Sequence, residues 1–82
     1  MSELTIEKTR ELNRESCRIK AKSILSERGF TYLKDEMQDA GKTCVYIGNK
    51  FDERNQQWHC RLSFDLETGE HIIDFDETVK YQ

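Results

Sequence analysis

The sequence lacks any long hydrophobic run, and its first residues, MSELTIEKTRE, contain no apolar core of a secretory signal. No stretch approaches the length that a transmembrane helix needs, so we expect no membrane association. The three cysteines, Cys17, Cys44 and Cys60, are odd in number and irregularly spaced, whereas a disulfide framework needs pairs. These absences favour a cytoplasmic protein with reduced thiols.

The chain also lacks a large excess of one charge, since 13 lysines and arginines face 16 acids, for a formal net charge of -3. Residues 1–42 hold nine basic and eight acidic side chains, whereas residues 43–82 hold four and eight, so the two parts carry +1 and -4. Whole-protein charge therefore gives no argument for nucleic-acid binding. Only the N-terminal part is basic enough to form a local cationic surface.

Apolar residues are few: they make up 35% of the 82 residues, the same share as charged residues, and the mean hydropathy is -0.87. We expect a single domain over residues 1–82 with a thin core, formed by one sheet face and one helix stripe. A core this small is often completed by a protein partner or by a second copy of the chain. Partner binding or self-association as a homodimer is therefore expected.

Neither proline nor glycine interrupts residues 5–28, which are strong helix formers, and Gly29 follows them as a C-cap. Apolar residues of the second half form one stripe at helical spacing: Cys17, Ala21, Ile24 and Leu25. Leu12 and Ile19 lie nearly opposite this stripe. Either a partner covers the helix on its second side, or residues 1–14 form a separate or frayed helical arm.

After the helix the apolar period changes to two, which predicts strands. Three segments are rich in β-branched and aromatic residues and are interpreted as strands: Thr43–Ile47, Trp58–Phe64 and His71–Phe75. Phe30–Lys34 is either a short edge strand or an extended connection, and residues 48–57 are expected to be a long polar hairpin loop. Gly69 suits the positive-φ position of the second hairpin. The predicted fold is α+β, a long helix packed on a three-stranded antiparallel meander in the order α-β-β-β.

The segment WHCRLSF combines a histidine and a thiol, which raises the question of a metal or catalytic site. Alternation places four of its side chains on the face that packs under the helix: Trp58, Cys60, Leu62 and Phe64. His59 and Cys60 then point to opposite sides and cannot share a metal ion. Cys60 is expected to be an inert core thiol, because an apolar environment raises the pKa of a thiol.

The register of the second hairpin can be predicted from its turn. If Phe64 opposes His71, then Ile73 and Phe75 join the core face of the sheet. Two cross-strand ion pairs then form on the other face: Arg61 with Asp74, and His59 with Asp76.

Catalytic motifs are absent, since the sequence has no phosphate-binding glycine loop, serine nucleophile motif or histidine–carboxylate set. Asp74, Asp76 and Glu77 form the acidic group best suited to a divalent cation. Calcium-loop spacing and its glycine are missing, so solvated or cross-strand paired acids are the simpler interpretation. We expect no enzyme, no cofactor, no metal ion and no small-molecule substrate. A metal-dependent enzyme is kept as the least favoured alternative.

Four basic residues recur at every fourth position and form a stripe along the helix: Arg10, Arg14, Arg18 and Lys22. Such a basic stripe suits phosphates and predicts salt-dependent nucleic-acid binding. An acid precedes each arginine by three residues, at Glu7, Glu11 and Glu15. A solvated, salt-bridged helix face is therefore the alternative interpretation.

Phe51 is an aromatic residue inside the polar segment NKFDERNQ. An aromatic side chain at the tip of a loop often anchors a protein partner, which makes Phe51 a candidate partner-binding residue. The alternative is that its ring folds back and caps the sheet.

Three segments follow one another in the chain: KSIL near the end of the helix, TCVYIGNKFDERNQQWHCRLSF, and HIIDFDE. Over residues 15–77 this order resembles a small domain at the C-terminal ends of bacterial restriction-endonuclease-like proteins, including chains like the R subunit of type I restriction enzymes. Cys60-Arg61-Leu62 with Phe64 carries most of the resemblance. It implies an accessory or interaction module in a restriction or phage-defence setting near DNA, and it brings no catalytic residues. These 82 residues include no nuclease part, and they include a longer N-terminal helical arm than the resemblance requires.

These observations together predict a small non-catalytic accessory module that binds a protein partner, in a restriction-modification, phage or other DNA-associated system. A nucleic-acid-binding protein that uses the basic stripe is the alternative.

Overall fold

The computed structural model describes residues 3–79, with side chains described for residues 7–78. One long helix precedes four strands: α1 (Glu3–Glu27), β1 (Thr31–Gln38), β2 (Thr43–Phe51), β3 (Gln57–Asp65) and β4 (His71–Val79). The strands form a single antiparallel meander in the order β1-β2-β3-β4. The α+β class is therefore confirmed, but the sheet has four strands and not the predicted three.

The strand that the sequence underestimated is β1, which was expected to end by Lys34 or to be only a connection. It continues to Gln38 because its backbone pairs with β2, with Asp35 opposite Tyr46 and Met37 opposite Cys44. Its polar composition hid this pairing. An edge strand has a partner on one side only, and charged side chains are common there because they discourage pairing with other chains.

The first hairpin also differs from the prediction, because β2 continues through Gly48 to Phe51 and β3 begins at Gln57. Only residues 52–56 remain as the connecting loop. Asp52 organises it: its carboxylate accepts hydrogen bonds from the backbone N–H groups of Arg54 and Gln56 and from Nε1 of Trp58. These bonds hold the pKa of Asp52 below its usual range.

Helix α1 ends where the sequence predicts, at a glycine in the left-handed conformation. Gly29 has φ 83°, its N–H donates to the carbonyl of Ser26, and the N–H of Phe30 donates to the carbonyl of Leu25. This pair of bonds is a Schellman motif. The buried side chains of Leu25 and Phe30 complete it with the apolar contact that usually accompanies the motif.

The core lies between α1 and one face of the sheet. Its fully buried side chains come from the predicted helix stripe and from β2, β3 and the last hairpin: Cys17, Ala21, Leu25, Cys44, Tyr46, Cys60, Leu62, Phe64 and Leu66. The helix packs on β1, β2 and β3. All three cysteines are buried and free. Burial was predicted for Cys17 and Cys60, and Cys44 joins them from β2.

The register of β4 corrects the prediction. Phe64 pairs with His71 as expected, but the ladder then shifts by one residue, so that Ser63 pairs with Ile73 and Arg61 pairs with Phe75. The extra residue is Ile72. A shift of one residue exchanges the two faces of a strand, and so Ile73 and Phe75 lie on the face away from the helix.

The ion pairs expected from that register are consequently wrong. Arg61 pairs with Glu77 and not with Asp74, and the residue opposite His59 is Glu77 and not Asp76.

All three hairpin turns within residues 3–79 use left-handed backbone, including the β2–β3 loop, where Asn55 has φ 63°. Gly69 has φ 78°, as predicted for the β3–β4 turn. The β1–β2 turn is less ordinary, because Asp39, Ala40 and Gly41 all have positive φ, at 53°, 54° and 84°. In the left-handed region the Cβ of a residue lies too close to the following carbonyl oxygen. Alanine has no polar side chain that could compensate through a local hydrogen bond, so Ala40 is strained.

Helix α1 is continuous from Glu3 to Glu27, and its N-terminal half is attached to the sheet. Arg10 Nη2 lies 2.9 Å from Glu67 Oε1, and Asn13 Nδ2 donates to the carbonyl of Leu66 at 2.7 Å. Both partners belong to the β3–β4 turn. No helix within residues 3–79 combines the length and the apolar character needed to cross a membrane.

Candidate functional site

The face of the sheet turned away from α1 is termed the open face. Because side chains alternate along a strand, the observed pairings assign its members. Three cross-strand rows form its centre: Glu36, Val45, Ser63 and Ile73; Lys34, Ile47, Arg61 and Phe75; Thr31, Asn49, His59 and Glu77. No other element among the described residues packs on this face, since α1 covers the opposite side.

Apolar residues of the open face lie on β2 and β4, on either side of the polar residues of β3. Val45 and Ile47 contribute from β2, and Ile73 and Phe75 contribute from β4, where they are 46% and 51% exposed. These four residues are termed the apolar strip. The solvated face of an antiparallel sheet normally carries polar side chains. Val45 is only 9% exposed, so Ile73 and Phe75 supply most of the exposed apolar area of the strip. Neighbouring exposed apolar side chains of this kind indicate an interaction surface.

Arg61 crosses the apolar strip on β3. The carbon of its guanidinium lies 5.7 Å from the centre of the Phe75 ring, and its Nη2 pairs with the carboxylate of Glu77. On the β1 side of the face, Lys34 Nζ lies 2.9 Å from Glu36 Oε1. The charges of the central rows thus form two internal pairs with no net charge.

A shallow depression of about 210 Å³ lies in the open face. Ser63, Val45, Glu36, Arg61 and Phe75 are among the residues that line it. The surface of the open face is therefore uneven, because the half-exposed ring of Phe75 borders this depression.

Phe51, the predicted partner-binding residue, is the last residue of β2 and is not in a loop. It pairs with Gln57 and shares the open face with Val45 and Ile47 by alternation. Its side chain is 54% exposed. The structure therefore brings Phe51 to the same face as the apolar strip, which the sequence did not predict.

The basic stripe does not form a single exposed cationic surface along α1. Arg10 and Arg14 turn toward the sheet side of the helix: Arg10 pairs with Glu67, and Arg14 contacts Asp35 with both Nε and Nη2 at 2.8 Å. These two arginines attach the N-terminal half of α1 to the β3–β4 turn and to β1.

The other two members of the basic stripe also have partners. Arg18 Nη2 contacts both carboxylate oxygens of Glu15, and Lys22 Nζ lies 5.1 Å from the centre of the Tyr32 ring. A phosphate backbone would have to compete with these contacts. Nucleic-acid binding by the basic stripe stays a prediction.

Asp35 is the centre of the most extensive polar network between α1 and the sheet. Its Oδ2 accepts hydrogen bonds from Arg14 and Cys44, and its Oδ1 accepts one from the hydroxyl of Tyr32 at 2.9 Å. Burial opposes ionisation of Asp35, but the bonds from Arg14 and Tyr32 outweigh it and lower the pKa of this carboxyl. Burial and the bond to Asp35 raise the pKa of Tyr32 to about 12.

The acidic group near the C-terminus is divided between the two faces of the sheet. Asp74 and Asp76 face the helix side, where Arg28 Nη2 lies 2.5 Å from Asp74 and Arg28 Nη1 lies 3.8 Å from Asp76. Glu77 lies on the open face with Arg61. The three acids do not converge on one cation, and residues 7–78 contain no group of three or more His, Cys, Asp or Glu side chains that could hold a metal ion.

Cys60 has the environment expected of a core thiol. It is fully buried, and burial together with its contact to Asp76 raises its pKa to about 11. The thiolate, which is the nucleophilic form, is therefore scarce at neutral pH.

Leu12 and Ile19 are exposed on the outer side of α1, at 63% and 68%. Ile19 and Ile24 border a broad groove of about 800 Å³ between the helix and the start of β4, with Phe64 and His71 opposite. The helix is thus covered on one side only within residues 7–78.

Sequence reasoning missed Ile73 and Phe75 as surface residues. A signal was present in the tandem Ile72-Ile73 pair, because two consecutive isoleucines leave the phase of an alternating strand undecided. Asp35 was missed for a different reason, since its partners Arg14, Tyr32 and Cys44 come from three elements and have no common spacing.

Comparison of the chain with protein-family models, with curated proteins and with solved structures gives no match.

Proposed function

We propose that this chain is a non-catalytic interaction module that binds a protein partner through the open face of its sheet. The observation that carries the proposal is the pair Ile73 and Phe75, which stand half exposed next to each other on β4 of a face that no described element covers. Full burial of an exposed phenylalanine or isoleucine side chain contributes about 1.5–3 kcal/mol. Covering the exposed halves of Ile73 and Phe75 therefore contributes roughly half of that for each residue. Such a face is more stable when covered.

The charges of the open face favour a protein partner over a nucleic acid. Its cations Lys34 and Arg61 are already paired with Glu36 and Glu77. Nucleic-acid affinity comes largely from lysines and arginines that neutralise phosphates and release counterions. Paired cations on a chain of net charge -3 supply little of this.

The chemistry of the reactive groups supports a binding role over a catalytic one. Cys60 is buried and protonated, and Arg28 pairs with Asp74 and Asp76. The most polar network, around Asp35, holds α1 to the sheet. Each group has a structural partner that accounts for its environment.

The resemblance of residues 15–77 to the C-terminal domain of restriction-endonuclease-like proteins extends the proposal. It supports a partner within a restriction or phage-defence system. In such a setting the module would be accessory to a DNA-directed protein without contacting DNA through its own sheet.

Site-specific photo-crosslinking tests the proposed function. A photoreactive phenylalanine derivative replaces Phe51 or Phe75 on the open face, or Leu12 on the outer side of α1 as a control at a comparably exposed apolar position. Adducts formed in lysate of the native cell are identified by mass spectrometry, and the identified protein is purified. Its affinity is then measured by calorimetry for the wild type, Phe75→Glu and Leu12→Glu.

We expect adducts from positions 51 and 75, and about 30-fold weaker binding by Phe75→Glu, since a central aromatic is often a hot spot. Leu12→Glu should bind within about twofold of the wild type, as is usual for a residue outside the contact. The proposal is contradicted if the purified protein binds Phe75→Glu as tightly as the wild type. It is also contradicted if a DNA or RNA oligonucleotide binds instead and Arg18→Glu with Lys22→Glu abolishes that binding.

A further inference from the structure

We propose that the protein partner of the open face is a second copy of this chain, so that two sheets pack face to face with their helices outside. This inference rests on the proposed function and names the partner. It is argued from the area, the charge and the relief of the open face.

The area of the open face matches what one partner contributes to a stable interface. Its strands contain eight, nine, nine and nine residues. With strands about 4.8 Å apart and a rise of about 3.3 Å per residue, the face measures roughly 19 by 30 Å, or about 570 Å² in plane. Side-chain relief increases the accessible area toward the roughly 800 Å² that each partner buries in a standard interface.

The total accessible surface also exceeds that of a compact monomer. The chain exposes 5939 Å². A compact monomeric protein of 9.8 kDa exposes about 5,200 Å² by the usual scaling of surface with mass. The excess of about 700 Å² shows that the chain is less compact than a monomer of this mass, in line with its extents of 52 × 24 × 17 Å.

Charge balance decides between a second copy and an unrelated protein. Identical faces carry identical charges, so a face with excess charge of one sign repels its own copy. The open face avoids this, because Lys34 is paired with Glu36 and Arg61 with Glu77. If the partner were a different protein recognised by its opposite charge, the open face would carry an excess of one charge.

Dimerisation would bury the charge of Arg61, and burying an unpaired charge in an interface costs free energy. Its guanidinium already contacts Glu77 and lies over the ring of Phe75. It therefore enters an interface with its ion pair formed, and its aliphatic stem adds apolar contact area.

The open face has both a protruding ring, that of Phe75, and a depression next to it. In a two-fold symmetric interface, a residue that contacts a position on the partner is contacted by that same position in return. The half-exposed ring of Phe75 borders the depression, which Ser63 and Val45 also line. A symmetric pair therefore allows the ring of each copy to enter the depression of the other, at the usual separation of about 10 Å between packed sheets.

Analytical ultracentrifugation tests the inference on the full chain. Across micromolar to millimolar protein, we expect the mass to rise from 9.8 kDa toward twice that value. Phe75→Glu should weaken dimerisation at least about 30-fold. Ile19→Glu, a matched change at an exposed apolar residue on α1, should leave it unchanged.

A second measurement needs no variant and is independent of any folding defect. Isoleucine methyl groups are labelled with carbon-13 and followed by NMR during dilution of the wild type. Methyl shifts of Ile47 and Ile73 should change with concentration, whereas that of Ile19 should not.

The two proposals fail in different ways. A monomer at all concentrations, with unchanged Ile73 shifts, overturns the second-copy inference, and so does a dimer in which only the Ile19 shift changes. If such a monomer still binds a crosslinked protein in a Phe75-dependent manner, the proposed function stands. If neither self-association nor Phe75-dependent binding is found, both proposals are wrong.

Discussion

Asp35 is the residue on which attachment of the helix depends most. It lies on the polar edge strand β1, and its carboxylate receives hydrogen bonds from α1 through Arg14 and from β2 through Cys44. A partly buried carboxylate that receives several bonds stabilises the fold only while it is ionised. Its contribution should therefore depend on pH.

We predict that Asp35→Asn lowers the free energy of unfolding by about 1–3 kcal/mol at pH 7, because Arg14 is left without its counter-charge. The pKa of Asp35 is lower in the folded state than in the unfolded state. Its stabilisation is thus complete above the unfolded pKa of about 3.9 and is lost as pH falls through the lower folded value.

Urea unfolding of both proteins at pH 7 and pH 3 measures this effect. The difference between wild type and Asp35→Asn should shrink at pH 3. Glu15→Gln is the control, since its pair with Arg18 is exposed and should contribute at most about 0.5 kcal/mol. Equal differences at the two pH values would disprove the role given to the ionised carboxylate.

Turns decide how the elements join, and the β1–β2 turn contains the clearest local strain. Ala40 adopts φ 54° between two other left-handed residues. We predict that Ala40→Gly raises the free energy of unfolding by about 0.5 kcal/mol. Relief of about 1–2 kcal/mol of left-handed strain exceeds the entropy that glycine adds to the unfolded chain.

Ala21→Gly provides the matched comparison, because it is the same change at a fully buried helix position. It should lower stability by at least about 1 kcal/mol. Opposite signs for the two variants in thermal or urea unfolding are the expected result. A loss of stability in Ala40→Gly would show that the turn is not strained.

Packing of α1 on the sheet requires a glycine at position 48 of β2. A Cβ added there would lie 2.9 Å from the carbonyl oxygen of Thr31 and 3.0 and 3.1 Å from the two methyl carbons of Leu25. We predict that Gly48→Ala lowers the free energy of unfolding by about 1–3 kcal/mol through overpacking.

Urea unfolding again measures the change. Gly29→Ala is the control, because its added Cβ meets no atom within 4 Å and only the positive φ opposes it. Its cost should be about 1–2 kcal/mol from conformation alone. If Gly48→Ala is as stable as the wild type, the helix is packed less closely on β2 than described.

Elements could be predicted from the sequence where apolar residues recur at a clear helix or strand period, or where the backbone requires a glycine. Helix α1, its glycine end, the core stripe of α1 and the buried side of β3 all followed from local patterns. Strand β1 could not be predicted because polar side chains conceal an edge strand whose pairing is non-local. The phase of β4 depends on a register shift at Ile72, which no local pattern specifies. The open face therefore emerged only from the three-dimensional pairing.

At the scale of the whole molecule, one layer of helix covers one side of a four-stranded sheet and leaves the other side free. If a second copy covers that side, unfolding must also separate the copies, and stability then depends on protein concentration. A monomer has no such dependence.

We predict that the Tm of the wild type rises by about 3–5 °C for each tenfold increase in protein concentration, from mass action on a domain of this size. Calorimetric or circular-dichroism melts over a hundredfold range measure it. Phe75→Glu should show a constant Tm, whereas Ile19→Glu should follow the wild type. A wild-type Tm that does not change with concentration would disagree with the dimer.

The register shift at Ile72, which has no partner in the β3–β4 ladder, determines which side chains of β4 face outward. In an unshifted ladder the same nine residues would turn Asp74 and Asp76 outward and Ile73 and Phe75 inward, so the protein would present an acidic surface with no change in its sequence. Deleting Ile72 would make the ladder regular and keep the apolar side outward. The same nine residues can therefore form either an apolar or an acidic surface, and the register shift at Ile72 decides which of the two the protein presents.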